Sequence, residues 1–160
     1  MQGDARQRAA ELFERAYVAQ QRGELDDAVA LYRLSIAAHP TAEAHTFLGW
    51  TYSFQGRLED AIEECKKAIA VDADFGNPYN DIGAYLMQMG RIDDAIPWLE
   101  KATRAPRYEA PQFPRFNLGR VYVAKQMYSR ALEQFREALR LRPDYEEAAV
   151  VIEALKRKLN

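Results

Sequence analysis

The chain repeats itself at an interval too long for one helix and too short for a domain. Gly23-Glu24-Leu25-Asp26-Asp27-Ala28 returns 33 residues later as Gly56-Arg57-Leu58-Glu59-Asp60-Ala61, and 34 residues after that as Gly90-Arg91-Ile92-Asp93-Asp94-Ala95. A fourth, weaker copy, Gln126-Met127-Tyr128-Ser129-Arg130-Ala131, has lost the glycine, and its alanine stands 36 residues beyond Ala95. Upstream of each turn lies a second signature: Leu48-Gly49, Ile82-Gly83 and Leu118-Gly119, with Arg15-Ala16 as the degenerate first copy. A unit of this size cannot bury its apolar side alone, so successive units must stack and share one continuous core.

Between these marks the apolar residues fall at helical spacing, as in Ala61, Ile62, Cys65, Ala68, Ile69 and in Ala131, Leu132, Phe135, Ala138, Leu139. Each unit therefore reads as a helical hairpin and the chain as all-α. The spacing predicts first helices near 5 to 22, 42 to 55, 76 to 89 and 112 to 125, with partners near 25 to 38, 58 to 71, 92 to 104 and 128 to 141. A ninth helix is predicted near 145 to 158, capped by Asp144 and ending in Lys156-Arg157-Lys158, which suits the negative end of the helix dipole. The turn glycines permit a backbone conformation that a side chain opposes, and those before the turn let two helices approach closely.

With 160 residues, 48% of them hydrophobic, the chain can bury a sizeable core without covalent staples, and it has no apolar run long enough to span a membrane. A net charge of -2 excludes bulk attraction to nucleic acid. Charges at Asp4 and Arg6, where an export signal needs apolar residues, and the single cysteine, Cys65, set the expectation of a reducing, cytoplasmic setting. The net charge hides a split. Residues 1 to 103 hold 10 basic and 17 acidic side chains, whereas 104 to 160 hold 12 and 7. Solvated faces account for such drift, and it also permits weak head-to-tail homo-oligomers at low salt.

Catalytic and metal chemistry find little to work with. The two histidines, His39 and His45, are separated by Pro40 and fall on different elements. The glycines are committed to turns and packing, so no phosphate-binding loop exists. Cys65 shares its slot with Tyr32, Leu99 and Phe135 and is expected in the core, and the pairs Asp26-Asp27, Glu63-Glu64 and Asp93-Asp94 read as helix-start or solvated charges. No catalytic residue, metal site or cofactor is expected.

These residues resemble the tetratricopeptide repeat family. The likeness rests on the small residues Ala16, Gly49, Gly83 and Gly119, the alanines Ala28, Ala61, Ala95 and Ala131, the packing residues Tyr32, Cys65, Leu99 and Phe135, the later small set Ser35, Ala68, Ala102 and Ala138, and Pro40 and Pro143. Ala73, Arg107 and Gln126 depart from the pattern. The resemblance implies one domain over 1 to 160, a right-handed α-solenoid of units 9–41, 42–75, 76–111 and 112–145 with a capping helix at 146–160. It also implies that the first helices line a concave groove that binds a protein or peptide ligand. On that geometry Tyr17, Trp50, Ala84 and Arg120 face the groove. Tyr17 and Trp50, joined by Phe13, Phe54 and Met87, form a candidate apolar patch whose rings could equally pack between hairpins. Phe116 is a lesser candidate, and Asn80, Asp81, Asn117 and Arg120 are candidate hydrogen-bonding groups.

Members of the family that grip the acidic tails of chaperones use a clamp of two lysines, two asparagines and an arginine. The corresponding places here hold Thr46, Trp50, Asp81, Phe113 and Asn117, so that specificity is not expected. The junction Ala105 to Pro114, with three prolines, reads as an extended turn accommodating a longer second helix in unit three, or as a binding loop. Asn80-Asp81-Ile82-Gly83 followed by Pro106-Arg107-Tyr108 is somewhat similar to type IV pilus assembly lipoproteins, which carry an export signal and a lipidated cysteine unlike residues 1 to 6. The expected function is a non-catalytic adaptor, with a self-associating scaffold or a pilus-assembly-like protein as alternatives.

Overall fold

The computed structural model describes residues 1–160 as nine helices: α1 (Gln2–Gln21), α2 (Leu25–Ala38), α3 (Ala42–Phe54), α4 (Leu58–Val71), α5 (Asn77–Gln88), α6 (Ile92–Thr103), α7 (Gln112–Ala124), α8 (Tyr128–Leu141) and α9 (Glu146–Leu159). Consecutive helices pair as antiparallel hairpins, each hairpin packs on the next, and α9 closes the stack against α8. The result is an α-solenoid.

Each hairpin turns by the same hydrogen-bonded device. In the first, Glu24 N–H donates to the Ala19 carbonyl at 2.9 Å and Gly23 N–H to that of Gln20 at 3.0 Å. These two bonds satisfy carbonyls that a helix end otherwise leaves open, and they place the residue between the helices in the left-handed region. Gly23, Gly56 and Gly90 have φ of 76°, 77° and 77°, and the fourth turn forces Gln126 to 60°. Asp26-Asp27, Glu59-Asp60 and Asp93-Asp94 then fall in the first turns of α2, α4 and α6, next to the unsatisfied N–H groups.

Packing within a hairpin depends on small residues opposite large ones. Ala28, Ala61, Ala95 and Ala131 are fully buried, as are Tyr32, Cys65 and Leu99, with Phe135 at 1% exposure. A Cβ on Gly83 would overlap the Leu99 side chain, and one on Gly119 would come within 2.5 Å of the Phe135 ring. Burial pushes the Cys65 thiol up, which leaves it an inert part of this column.

Three expectations require correction. The second helix of unit three is not longer: α6 has 12 residues, against 14 in α2, α4 and α8. Asp144 does not cap α9; Tyr145 stands at the N-cap, and Asp144 accepts a hydrogen bond from Arg142 instead. Glu64 is not a solvated charge, since it is buried against His45.

The residues that α6 does not use fold back on the preceding junction. Phe75 and Arg107 form an isolated parallel bridge, in which Gly76 N–H donates to Arg107 O and Arg107 N–H to Asp74 O, both at 3.0 Å. The Arg107 guanidinium reaches Asp72 Oδ2 at 2.6 Å and Glu43 Oε1 at 3.0 Å and lies 4.3 Å from the centroid of the Phe75 ring. Gly76 has no Cβ because the Tyr108 ring fills that space. This clasp ties α3 to two successive junctions and walls one side of the concave face.

Candidate functional site

The first helices of the later hairpins, α3, α5 and α7, lie side by side. A helix presents one row of side chains every three or four residues, so equivalent positions of successive units form columns across the concave face. Column by column the chemistry changes from aromatic in units one and two to polar in units three and four.

The aromatic end is a continuous file centred on Phe47. Its ring centroid lies 5.2 Å from Phe13, 6.0 Å from Tyr17, 6.3 Å from Tyr32 and 5.9 Å from Trp50, and Trp50 is 5.1 Å from Phe54. Exposure is least in the middle of the file and greatest at its ends: Phe47 and Trp50 are half-buried, Tyr17 is 39% exposed and Phe54 57%. Trp50 thus packs against its neighbours with one part and faces solvent with another. Phe13 also meets Tyr32 edge-on at 5.5 Å, and Phe116 occupies the equivalent place in unit four, 5.1 Å from both Phe135 and Tyr145. Those last contacts put Phe116 between its own hairpin and the capping helix. Met87 is half-buried against the core.

The polar end is a directed relay. Arg120 Nη1 donates to Asn117 Oδ1 at 3.2 Å, and Asn117 Nδ2 donates to Asn80 Oδ1 at 3.0 Å. That leaves the Asn80 amide beside Asp81, whose charged form it favours. Both asparagines are buried, and each uses its acceptor within the relay. Burial drives the Asp81 carboxyl up to about 7 and outweighs the neighbouring Asn80 amide, which favours the charged form. Tyr85 on α5 and Tyr108 on the 105–111 junction face this carboxyl, and burial and its charge together hold both phenols far above their ordinary range. From α4, Cys65 feels the same charge.

Where the two ends meet lies a cavity of about 320 Å³, lined by Glu43, Thr46, Phe47 and Trp50 of α3, Phe75, the α5 residues Asn77, Asn80 and Asp81, then Tyr108, Ala110 and Phe113. It brings Trp50, Asn80 and Asp81 together. Phe13 lines a second cavity of about 560 Å³, between α1 and the start of α3. Sequence reasoning missed Phe47 as the hub, although Phe47, Trp50 and Phe54 at i, i+3 and i+7 already form one helical face. It also missed Phe75 and Tyr108, which reach the groove only through the clasp.

Tetratricopeptide repeat models match residues 13–78, 77–107 and 114–150. The type IV pilus assembly protein PilF of Pseudomonas aeruginosa is 29% identical over 122 residues, which cover 76% of this chain and 48% of that protein. An uncharacterized protein of Haemophilus influenzae is 29% identical over 97 residues, 58% of this chain and 54% of that one. The chain thus spans about half the length of the curated relatives it matches. The solved structure of Pseudomonas aeruginosa PilF superimposes with a TM-score of 0.88 at 25% identity, covering 98% of this chain and 70% of that one. That of PilW, a type IV pilus biogenesis factor, gives 0.80 at 18% identity over 88% and 64%, a likeness of fold. No helix is long and apolar enough to cross a membrane. Hairpin turns, small-to-large columns and matched repeats agree, and the chain belongs to the tetratricopeptide repeat family.

Proposed function

We propose that this chain is a non-catalytic binding module that takes a segment of a partner protein along its concave face. The observation that carries the reading is the file Tyr17–Phe47–Trp50–Phe54, where four rings touch in series and the outermost is 57% exposed. Contiguous aromatics beside ordered hydrogen-bonding groups favour a segment with an apolar anchor whose backbone is read by Asn117 and Arg120. The candidate contacts are therefore Tyr17, Trp50 and Phe54 at one end and Asn80, Asp81, Asn117 and Arg120 at the other. Selection of binders from a displayed random-peptide library tests this. Phe54→Ala and Trp50→Ala are expected to weaken captured peptides by about tenfold or more, as loss of an aromatic anchor does. Equal binding by both variants would overturn the groove as the site.

Likeness to a pilus assembly protein supports a partner in the same kind of assembly. Two-hybrid pairing of the chain with pilus components of its own genome examines that narrower reading, and silence there leaves the peptide-binding reading to stand on the display result.

A further inference from the structure

We propose that the cavity between α3, α5 and the 105–111 junction receives the basic side chain, lysine or arginine, of a bound segment. The inference rests on the binding-module reading and names the chemistry of what the groove takes. Its first support is a carboxyl that no positive group of the chain answers. The two other carboxylates nearby, Glu43 and Asp72, are both held by Arg107, and Arg120 is turned onto Asn117. Beside Asp81 stands only the neutral Asn80 amide, and no cation of the chain reaches it. The relay also fixes polarity: because Asn80 Oδ1 accepts from Asn117, the part of Asn80 left over for the cavity it shares with Asp81 is its amide donor.

Its second support is the wall. Trp50, Phe75, Tyr108 and Phe113 line the same space as Asp81. Aromatic faces attract ammonium and guanidinium groups, most strongly where water is displaced. The Arg107 guanidinium already lies 4.3 Å from the Phe75 ring centroid, so one of these rings carries a cation within the fold itself. A volume of about 320 Å³ suits one long side chain better than a larger ligand. Residues 1 to 103, which supply most of the cavity, hold 17 acidic and 10 basic groups, a field that draws cations and repels carboxylates. The preference is thus opposite in sign to a groove that grips an acidic tail.

The test is an NMR titration of the whole chain with n-butylammonium and n-butylguanidinium chlorides, against n-pentanol and butyrate as neutral and anionic analogues. The expected result is saturable shifts at Asn80, Asp81 and the Trp50 indole with the two cations, in the millimolar range ordinary for fragments of this size. Binding to Asp81→Asn should be weaker by about tenfold or more, the loss expected for a partly desolvated charge pair. Asparagine is already the residue of this column in the next unit, at Asn117, and the order of the four probes on the unaltered chain tests the inference without any substitution. Pentanol binding as well as the cations, an unchanged Asp81→Asn, or no shift at these residues would each overturn it. Peptides captured without a basic residue, losing affinity in Trp50→Ala, would leave the module reading intact while the cation site fails. Cation shifts at Asp81 with no captured peptide would do the reverse.

Discussion

His45 on α3 and Glu64 on α4 share a hydrogen bond of 2.8 Å, Nδ1 to Oε2, with both side chains 11% exposed. Lys67 Nζ donates to the other carboxylate oxygen at 2.9 Å. Burial by itself raises the Glu64 carboxyl, but hydrogen bonds from His45 and Lys67 outweigh it and hold the group below the ordinary carboxylate range. A depressed folded value means stability present above the unfolded value and lost as pH falls through the folded one. Glu64→Gln is therefore expected to cost about 1–3 kcal/mol at neutral pH, as loss of a buried charged hydrogen bond does. Urea unfolding at pH 7 and pH 3 checks this. The deficit should shrink in acid, and the same deficit at both values would overturn the assignment.

Gly83 and Leu99 divide one space between them, since a Cβ on the glycine would overlap the leucine side chain, and Leu99 has no surface through which to withdraw. Gly83→Ala should destabilise by about 1–3 kcal/mol, the range for overpacking a rigid core. Leu99→Ala alone opens a cavity. In the double variant the new methyl enters that cavity, so the combined cost should fall short of the sum of the two. Ala16 already stands at the place of Gly83 in unit one. Additive costs in denaturant titration would show that the two residues do not share the contact.

The periodic part of this fold was legible in the sequence because each hairpin obeys the same local rules. Gly23, Gly56 and Gly90 marked the turns, and α2, α4 and α8 begin and end on the expected residues. What escaped is what repeats do not encode. The clasp joins residues 35 apart in different units, and its extended backbone leaves no helical spacing to detect. Glu64 looked like half of a surface acidic pair, although its neighbour Glu63 does face solvent; only the placement of His45 across the hairpin separates them. The groove holds three aromatics, Phe47, Phe75 and Tyr108, that no repeat signature marks. Trp50 stood out, whereas Phe47 belongs to a column continued by Asp81 and Asn117, and that change of chemistry hid its role.

The fourth turn offers a gain in stability. Gln126 adopts φ of 60° where the other three turns use glycine, a conformation that costs a residue with a side chain about 1–2 kcal/mol. It is exposed, and its N–H still completes the turn to the Val123 carbonyl at 2.9 Å. Gln126→Gly should therefore raise stability by about 0.5–1 kcal/mol once the greater freedom of glycine in the unfolded chain is set against the relieved strain. Thermal unfolding followed by circular dichroism checks it, and a lowered midpoint would contradict the strain.

Asp81 carries the last prediction, because the feature that suits it to a cation also works against folding. Its carboxyl titrates near 3.8 ordinarily and near 7 in the fold, where burial disfavours the charge. A raised folded value gives stability that is greatest below the unfolded value and is lost as pH rises from about 4 through about 7. Facing it are Tyr85 on α5, Tyr108 on the junction and Cys65 on α4, all pushed toward their neutral forms by burial, and Glu43 on α3 in the same cavity, paired with Arg107. None of these supplies a compensating positive charge. Asp81→Asn should match the parent at pH 4 and exceed its stability at pH 8, by about 1–2 kcal/mol after allowing for the water that reaches this half-buried side chain. A millimolar butylammonium salt should then raise the melting midpoint of the parent at pH 8 and leave that of Asp81→Asn unchanged, since only a ligand that prefers the folded chain stabilises it. Urea titrations at the two pH values check the first half and thermal scans with the probe the second. An asparagine variant less stable than the parent at pH 8 would mean that the Asp81 charge is already satisfied, and with it the cavity would lose its claim on a basic side chain.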